Sequence, residues 1–145
     1  MNVEIFNKPI SFSIYGYSGI VKNKSYVETA FGLMDRMWQI VKSNNLSNKG
    51  LNIWIYEPSE KIFAGVELNH PPQWDTGLEQ KNITLQKYAY YKHVSPYSLI
   101  SQAGKIMNDE LEKKGFKAGL PYLEIYGHWT EDVNKLETEL IFSIE

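Results

Sequence analysis

Apolar and polar residues alternate along residues 10–18, the period of a strand with one buried face, and then give way to three- and four-residue intervals. That second pattern, Ala30, Leu33, Met34, Met37, Trp38 and Val41, makes one stripe along a helix that follows Ser25 and runs to about Asn45. Ser25-Tyr26-Val27-Glu28 has the spacing of a capping box, whose side chains satisfy free amides at a helix start. Ser47-Asn48-Lys49-Gly50 then stops the helix. Residues 51–56 read as a second strand, Glu57-Pro58-Ser59-Glu60 as a hairpin turn, and residues 62–68 as a third strand.

The same succession returns in the second half. Residues 83–93 read as a strand, and Ser95-Pro96 as a helix start with proline where its missing N–H costs nothing. Leu99, Ala103, Ile106, Met107 and Leu111 form the stripe of a helix that Lys113-Lys114-Gly115 closes. Residues 121–127 and 136–144 read as a strand pair. Tyr15-Gly16-Tyr17 echoes Tyr88-Ala89-Tyr90, and Ile53-Trp54-Ile55-Tyr56 echoes Leu123-Glu124-Ile125-Tyr126, an internal repeat of roughly seventy residues.

The expected fold is therefore α+β. Duplicated β-α-β-β units are related by pseudo-twofold symmetry, and an antiparallel sheet carries two helices on one face and a ligand groove on the other. All of residues 1–145 form a single domain, with repeat one at about 1–69, a connector at 70–82 and repeat two at 83–145. The connector is broken by Pro71-Pro72 and carries Trp74, which fits either a lid or a loop anchor.

Alternation then sorts side chains by face. Phe12, Ile14, Ile53, Ile55, Leu123 and Ile125 are expected toward the helices, with Tyr15, Tyr17, Asn52, Trp54, Tyr56, Tyr122, Glu124 and Tyr126 on the opposite side. Glu124 is the informative residue. A carboxylate between two tyrosines on a plain core face would need a partner, whereas on a cavity wall acid and rings together make a cradle for a cation. In the strand at 83–93 the parity stays open, because Leu85, Ala89 and Tyr91 fit the helix side as well as Tyr88 and Tyr90 do. The candidate ligand-binding set is Glu124, Tyr126, Tyr122, Trp54, Tyr56, Tyr15, Tyr17 and Tyr90. Trp54 fits both cavity wall and core filler, and Trp38 lies on a helix stripe that marks it as core.

Composition narrows the function class. At 145 residues with 43% hydrophobic residues, the chain supports one ordinary core. A formal charge of −2 and the absence of a Lys/Arg cluster argue against direct nucleic-acid binding. No apolar run approaches a membrane span and no signal peptide opens the chain, so no membrane association is expected and the cytoplasm is the default location. With no cysteine, disulfides and thiolate chemistry are ruled out. His70, His93 and His128 are scattered, which argues against a metal site, and His93 reads as part of a strand-to-helix junction. Gly16-Tyr17-Ser18-Gly19 lacks the spacing and lysine of a phosphate loop, and no serine-nucleophile elbow occurs. No cofactor is expected.

Across nearly its whole length the chain resembles the GyrI-like small-molecule-binding domain, which also serves as the effector-binding domain of AraC- and MerR-type multidrug-responsive regulators. Tyr88-Ala89-Tyr90-Tyr91-Lys92-His93-Val94-Ser95-Pro96-Tyr97 looks like that family's strand running into a His-x-Gly-Pro helix start, with Ser95 in place of the usual glycine. Tyr122-Leu123-Glu124-Ile125-Tyr126 looks like its acid-bearing strand. The resemblance implies that Glu124 meets the charge of lipophilic cations while neighbouring aromatic side chains sandwich their flat rings. Because no helix-turn-helix segment precedes Met1, it also implies the free-standing form. The expected function is binding of amphipathic, planar, cationic small molecules for drug or toxin sensing or sequestration, with a separate transcription factor or protein partner reading the bound state. Two alternatives share the scaffold. One is a hydrolase of reactive small molecules using the same acid, an enzymatic activity that the sequence does not require. The other is a gyrase-inhibitor-like protein that binds another protein through its surface.

Overall fold

A computed structural model describes residues 1–21 and 25–145. Among these residues the fold is α+β, with eight strands and two helices. In chain order these are β1 (Glu4–Phe6), β2 (Ile10–Ile20), α1 (Tyr26–Ser43), β3 (Ile53–Glu57), β4 (Lys61–Val66), β5 (Glu79–Leu85), β6 (Tyr88–Val94), α2 (Ile100–Lys113), β7 (Ala118–Tyr126) and β8 (Glu137–Ile144). The chain forms two compact units: Ser11–Ile83, and Thr84–Glu145 together with Met1–Ile10. The first ten residues, which sequence order groups with repeat one, thus belong with repeat two, where β1 pairs with β6.

In the N-terminal unit the strands run β3-β4-β2-β5, with antiparallel pairing of β3 to β4 and of β4 to β2. The β3–β4 turn puts Ser59 and Glu60 in the left-handed region (φ 65 and 57), which suits the right-handed twist of the strands that it joins. The helix α1 ends at Ser43, short of the expected Asn45, because Asn45 itself adopts φ 51. The amides of Asn45 and Leu46 reach back to the carbonyls of Lys42 and Val41 (3.2 and 3.0 Å), so asparagine here plays the part that glycine usually plays. At the other end Ser25 makes no side-chain capping bond. The capping-box spacing is not used as such. Thr29 Oγ1 instead donates to the Ser25 carbonyl at 2.9 Å.

β5 occupies positions expected as connector. Its polar start, Glu79-Gln80-Lys81-Asn82, gives no apolar alternation, yet Glu79 accepts from both the amide (3.0 Å) and the hydroxyl (2.8 Å) of Ser18 on β2. The expected strand at 83–93 is therefore two strands, β5 and β6, separated by a bend at residues 86–87.

In the C-terminal unit the order is β1-β6-β8-β7, all antiparallel. A 3-10 turn at Tyr97–Leu99 precedes α2 and rotates its stripe from the expected one. Ile100, Ala103, Met107 and Leu111 are buried, whereas Leu99 and Ile106 are exposed. Each fully buried Met or Leu side chain there contributes roughly 1.5–3 kcal/mol. The helix closes as expected at Gly115 (φ 81), with the amides of Gly115 and Phe116 bonded to the carbonyls of Glu112 and Leu111 at 3.0 and 2.9 Å.

The helices choose the opposite faces to those expected. Met107, Leu111 and Ala103 of α2 pack with Ala89, Leu140, Tyr91, Tyr122, Tyr126 and Phe142. In the N-terminal unit Phe31 and Tyr26 of α1 meet Trp54 and Tyr56, and a Cβ built on Gly19 would lie 3.3 Å from Leu33. The aromatic row is therefore the helix-covered face of each unit, and Ile14, Ile53, Ile55, Leu123 and Ile125 are buried on the other. The strand alternation itself holds. What it could not decide is which of two buried faces takes the helix, since aliphatic and aromatic rows both supply enough apolar area.

Candidate functional site

The strongest candidate lies on β7. Pairing with β8 sets Tyr122 opposite Phe142, Glu124 opposite Leu140 and Tyr126 opposite Thr138, so the three candidate side chains share the α2-covered face. Glu124 is 5% exposed. Its carboxylate accepts a hydrogen bond from each flanking tyrosine, Tyr122 Oη to Oε2 at 2.8 Å and Tyr126 Oη to Oε1 at 2.6 Å. Side chains two apart on one strand face lean toward each other's tips, which lets both hydroxyls reach the acid between them. A buried carboxylate is costly without such donors, and these two hold it in a fixed orientation.

Further rings fix the tyrosines in turn. Tyr122 stacks on Phe142 with centroids 4.3 Å apart at 22°. Tyr126 meets Tyr97, from the turn before α2, edge to face at 5.6 Å and 89°. Both tyrosines that donate to the carboxylate are thus themselves in contact with further aromatic rings.

The N-terminal unit carries the related constellation without the acid. Trp54, buried, occupies on β3 the place that the repeat gives Glu124 on β7, and Phe31 meets it edge to face at 5.5 Å. Tyr56 meets Tyr26, the first residue of α1, at 5.5 Å, the counterpart of the Tyr126–Tyr97 pair. Tyr15 and Tyr17 are buried on the same face. Tyr17 already holds a cation: the guanidinium of Arg36, the only arginine in the chain, lies 4.1 Å from its ring centroid.

Tyr90 stands apart. It pairs with Glu4 and Ile141 and so lies on the face of β6 opposite to Ala89, Tyr91 and the Glu124 row. Burial, followed by a hydrogen bond to Glu139 and the negative charges of Glu139, Glu4 and Glu137, pushes its phenol well above the ordinary tyrosine value. The open parity of that strand resolves in favour of Ala89 and Tyr91 as the helix-side residues, and Tyr90 is not brought together with Glu124 on that face.

Two other residues find plain roles. His93 Nε2 sits 3.2 Å from the Pro96 carbonyl, at the strand-to-helix junction. Trp74 donates from Nε1 to Asn44 Oδ1 at 3.1 Å, tying the connector to the end of α1. Sequence reasoning missed Tyr26, Phe31, Tyr97 and Phe142 as neighbours of the candidates. Tyr26 follows Ser25 and Tyr97 follows Pro96, each at a helix start and at the spacing of the internal repeat, a signal that would have found them.

No family model matches the sequence, and no curated protein matches it. Solved structures do. The EcmrR C-terminal domain superposes with a TM-score of 0.74 at 17% identity, covering 100% of this chain and 99% of that one. In the EcmrR-DNA complex of EcmrR-RPo, this chain covers 57% of the longer EcmrR chain. SAV2435 bound to tetraphenylphosphonium matches with a TM-score of 0.65 at 17% identity, covering 100% of this chain and 94% of that one. A hydrolase from Listeria innocua matches with a TM-score of 0.57 at 12% identity, covering 99% and 91%. Over its whole length, then, the chain has the fold of the EcmrR C-terminal domain and SAV2435, which is the GyrI-like fold that its own sequence resembles.

Proposed function

We propose that the chain is a binding module for amphipathic, planar, cationic small molecules, with Glu124 supplying the negative charge and Tyr122 and Tyr126 supplying hydroxyl and ring surface. The observation that carries this reading is the buried carboxylate held by two tyrosine hydroxyls beneath the α2 face. An isolated structural acid needs only partners, whereas rings that are themselves clamped around an acid lower the ordering cost of stacking a flat cation there. A fold shared with a protein solved with a lipophilic phosphonium supports the choice of ligand class. Tyr97, as the edge-on neighbour of Tyr126, joins the proposed contact set. In the N-terminal unit Trp54, Tyr56 and Tyr15 are proposed as stacking surface, and Tyr17 as a ring whose one face Arg36 already fills. The biological role is sequestration of such a compound in the cytoplasm or its sensing through a separate regulatory protein.

Each desolvated cation–ring contact adds on the order of 1–2 kcal/mol, so two or three of them with the acid support micromolar binding. Calorimetric titration with a lipophilic cationic dye and an anionic dye of similar size tests the reading. Wild type is expected to prefer the cation by at least about tenfold, and Glu124→Gln to lose most of that preference. Equal affinity for both dyes in wild type and variant would remove it.

A further inference from the structure

His93, at 5% exposure, is a buried titratable side chain on β6. Its Nε2 lies 3.2 Å from the Pro96 carbonyl, and because a carbonyl only accepts, the bond places the ring proton on that nitrogen. The Leu99 amide donates to the same oxygen at 3.0 Å. This carbonyl belongs to the planar peptide unit that ends at the Tyr97 Cα, so holding its oxygen sets the direction in which the Tyr97 side chain leaves the chain. Tyr97 is 39% exposed and meets Tyr126 edge to face, which makes it the most open ring of the Glu124 cluster.

The N-terminal repeat holds the corresponding atom by other means. There Tyr26 is the counterpart of Tyr97, and the carbonyl before it, that of Ser25, accepts from the Thr29 amide at 3.2 Å and from Thr29 Oγ1 at 2.9 Å. In each half the peptide that launches the ring takes one main-chain and one side-chain donor. The side chain comes from within the helix in one half and from the preceding strand in the other, which ties the bond to the ring that follows rather than to a need of the β6 junction alone.

We infer that His93 is a positioning residue of the cation site: through the Pro96 carbonyl it holds the Tyr97 ring in its edge-on setting against Tyr126, ready to receive a ligand. The inference rests on the cation-binding reading above and deepens it, since it gives the buried histidine a part in affinity as well as in the fold. A ring ordered before the ligand arrives loses less freedom on binding. Without His93 the Leu99 amide alone holds the oxygen, and the ring samples other directions. The ligand need not pass beneath α2 to make this contact, because Tyr97 is already open to solvent.

A double-mutant cycle on the full chain tests the role by calorimetry, with naphthylmethyl-trimethylammonium as the cation and neutral naphthylmethanol as the reference. Tyr97→Ala is expected to weaken the ammonium by about fivefold, the scale of one partly exposed cation–ring contact. His93→Phe, which removes the donor and keeps the bulk, is expected to weaken it by about threefold, and to add almost nothing once Tyr97→Ala is present. His93→Gln, whose amide nitrogen reaches about as far as Nε2, is expected to return affinity to within about twofold of wild type. Should circular dichroism show His93→Phe unfolded, His93→Asn, polar but too short to reach the carbonyl, takes its place in the cycle. Unchanged affinity in Tyr97→Ala or in the His93 variant, an equal loss from the His93 change with and without Tyr97, or no rescue by glutamine overturns the positioning role. In those cases a wild-type preference for the ammonium over the alcohol leaves the cation-binding reading standing. If wild type shows no such preference, that reading is wrong and the role of His93 falls with it.

Discussion

Tyr126 donates its hydroxyl proton to Glu124 across 2.6 Å, from two residues further along the same strand. The pair is part-buried, and hydrogen bonds to charged groups contribute about 1.5–3 kcal/mol each. Tyr126→Phe is accordingly expected to lower unfolding free energy by about 1–3 kcal/mol, with Tyr122→Phe behaving alike because its bond reaches the other oxygen. The double variant should not equal the sum of the singles, since both groups serve one carboxylate. Urea unfolding checks this. A loss smaller than about 0.5 kcal/mol in either single variant would mean that the hydroxyls are not partners of the acid in solution.

How far the site could be seen in the sequence follows from what alternation encodes. The grouping of Tyr122, Glu124 and Tyr126 on one face was legible, because a strand has a fixed period of two and both neighbours of the acid were aromatic. The helix partner of that face was not. Leu123 and Ile125 on the other side are as apolar as any core requires, and burial of both faces removes the polar-outward signal that would have oriented the strand. Tyr90 shows the same limit at a single residue. Its strand offered two acceptable parities, and only pairing with Glu4 and Ile141 decides between them. The strand at Glu79–Leu85 was hidden for a different reason: its partners are specified by side-chain bonds such as Glu79 to Ser18 rather than by apolar alternation.

Gly16 faces Gly65 across the β2–β4 ladder, and both positions exclude a side chain. A Cβ on Gly16 would run into the Ala64 carbonyl oxygen and come within 2.6 Å of Gly65 Cα. Those are backbone atoms of a central strand, which cannot rotate away as a side-chain tip can. Gly16→Ala is expected to cost about 3 kcal/mol or more, at the upper end of overpacking effects, and to do so through the ladder rather than the ligand site. Chemical denaturation measures it, and a variant within about 0.5 kcal/mol of wild type would show that β2 and β4 do not approach this closely.

Tyr90 gives the fold a dependence on alkaline pH whose sign is fixed by its surroundings. Burial and the acids Glu139, Glu4 and Glu137 all oppose a phenolate, and Lys92, paired with Glu137 at 3.5 Å, is the cation on that same sheet face. The folded chain therefore keeps the Tyr90 proton beyond the point at which the unfolded chain gives it up, near the ordinary tyrosine value of about 10. Below that value both states are protonated and the contribution is complete. Above it the unfolded state holds fewer protons, so stability falls as pH rises toward and through the folded value. Between about pH 9 and about pH 11, wild type should lose unfolding free energy more steeply than Tyr90→Phe, which has no proton to release. Parallel curves for wild type and Tyr90→Phe over that interval would show that the phenol is not held among these acids, and would return Tyr90 to the ordinary surface.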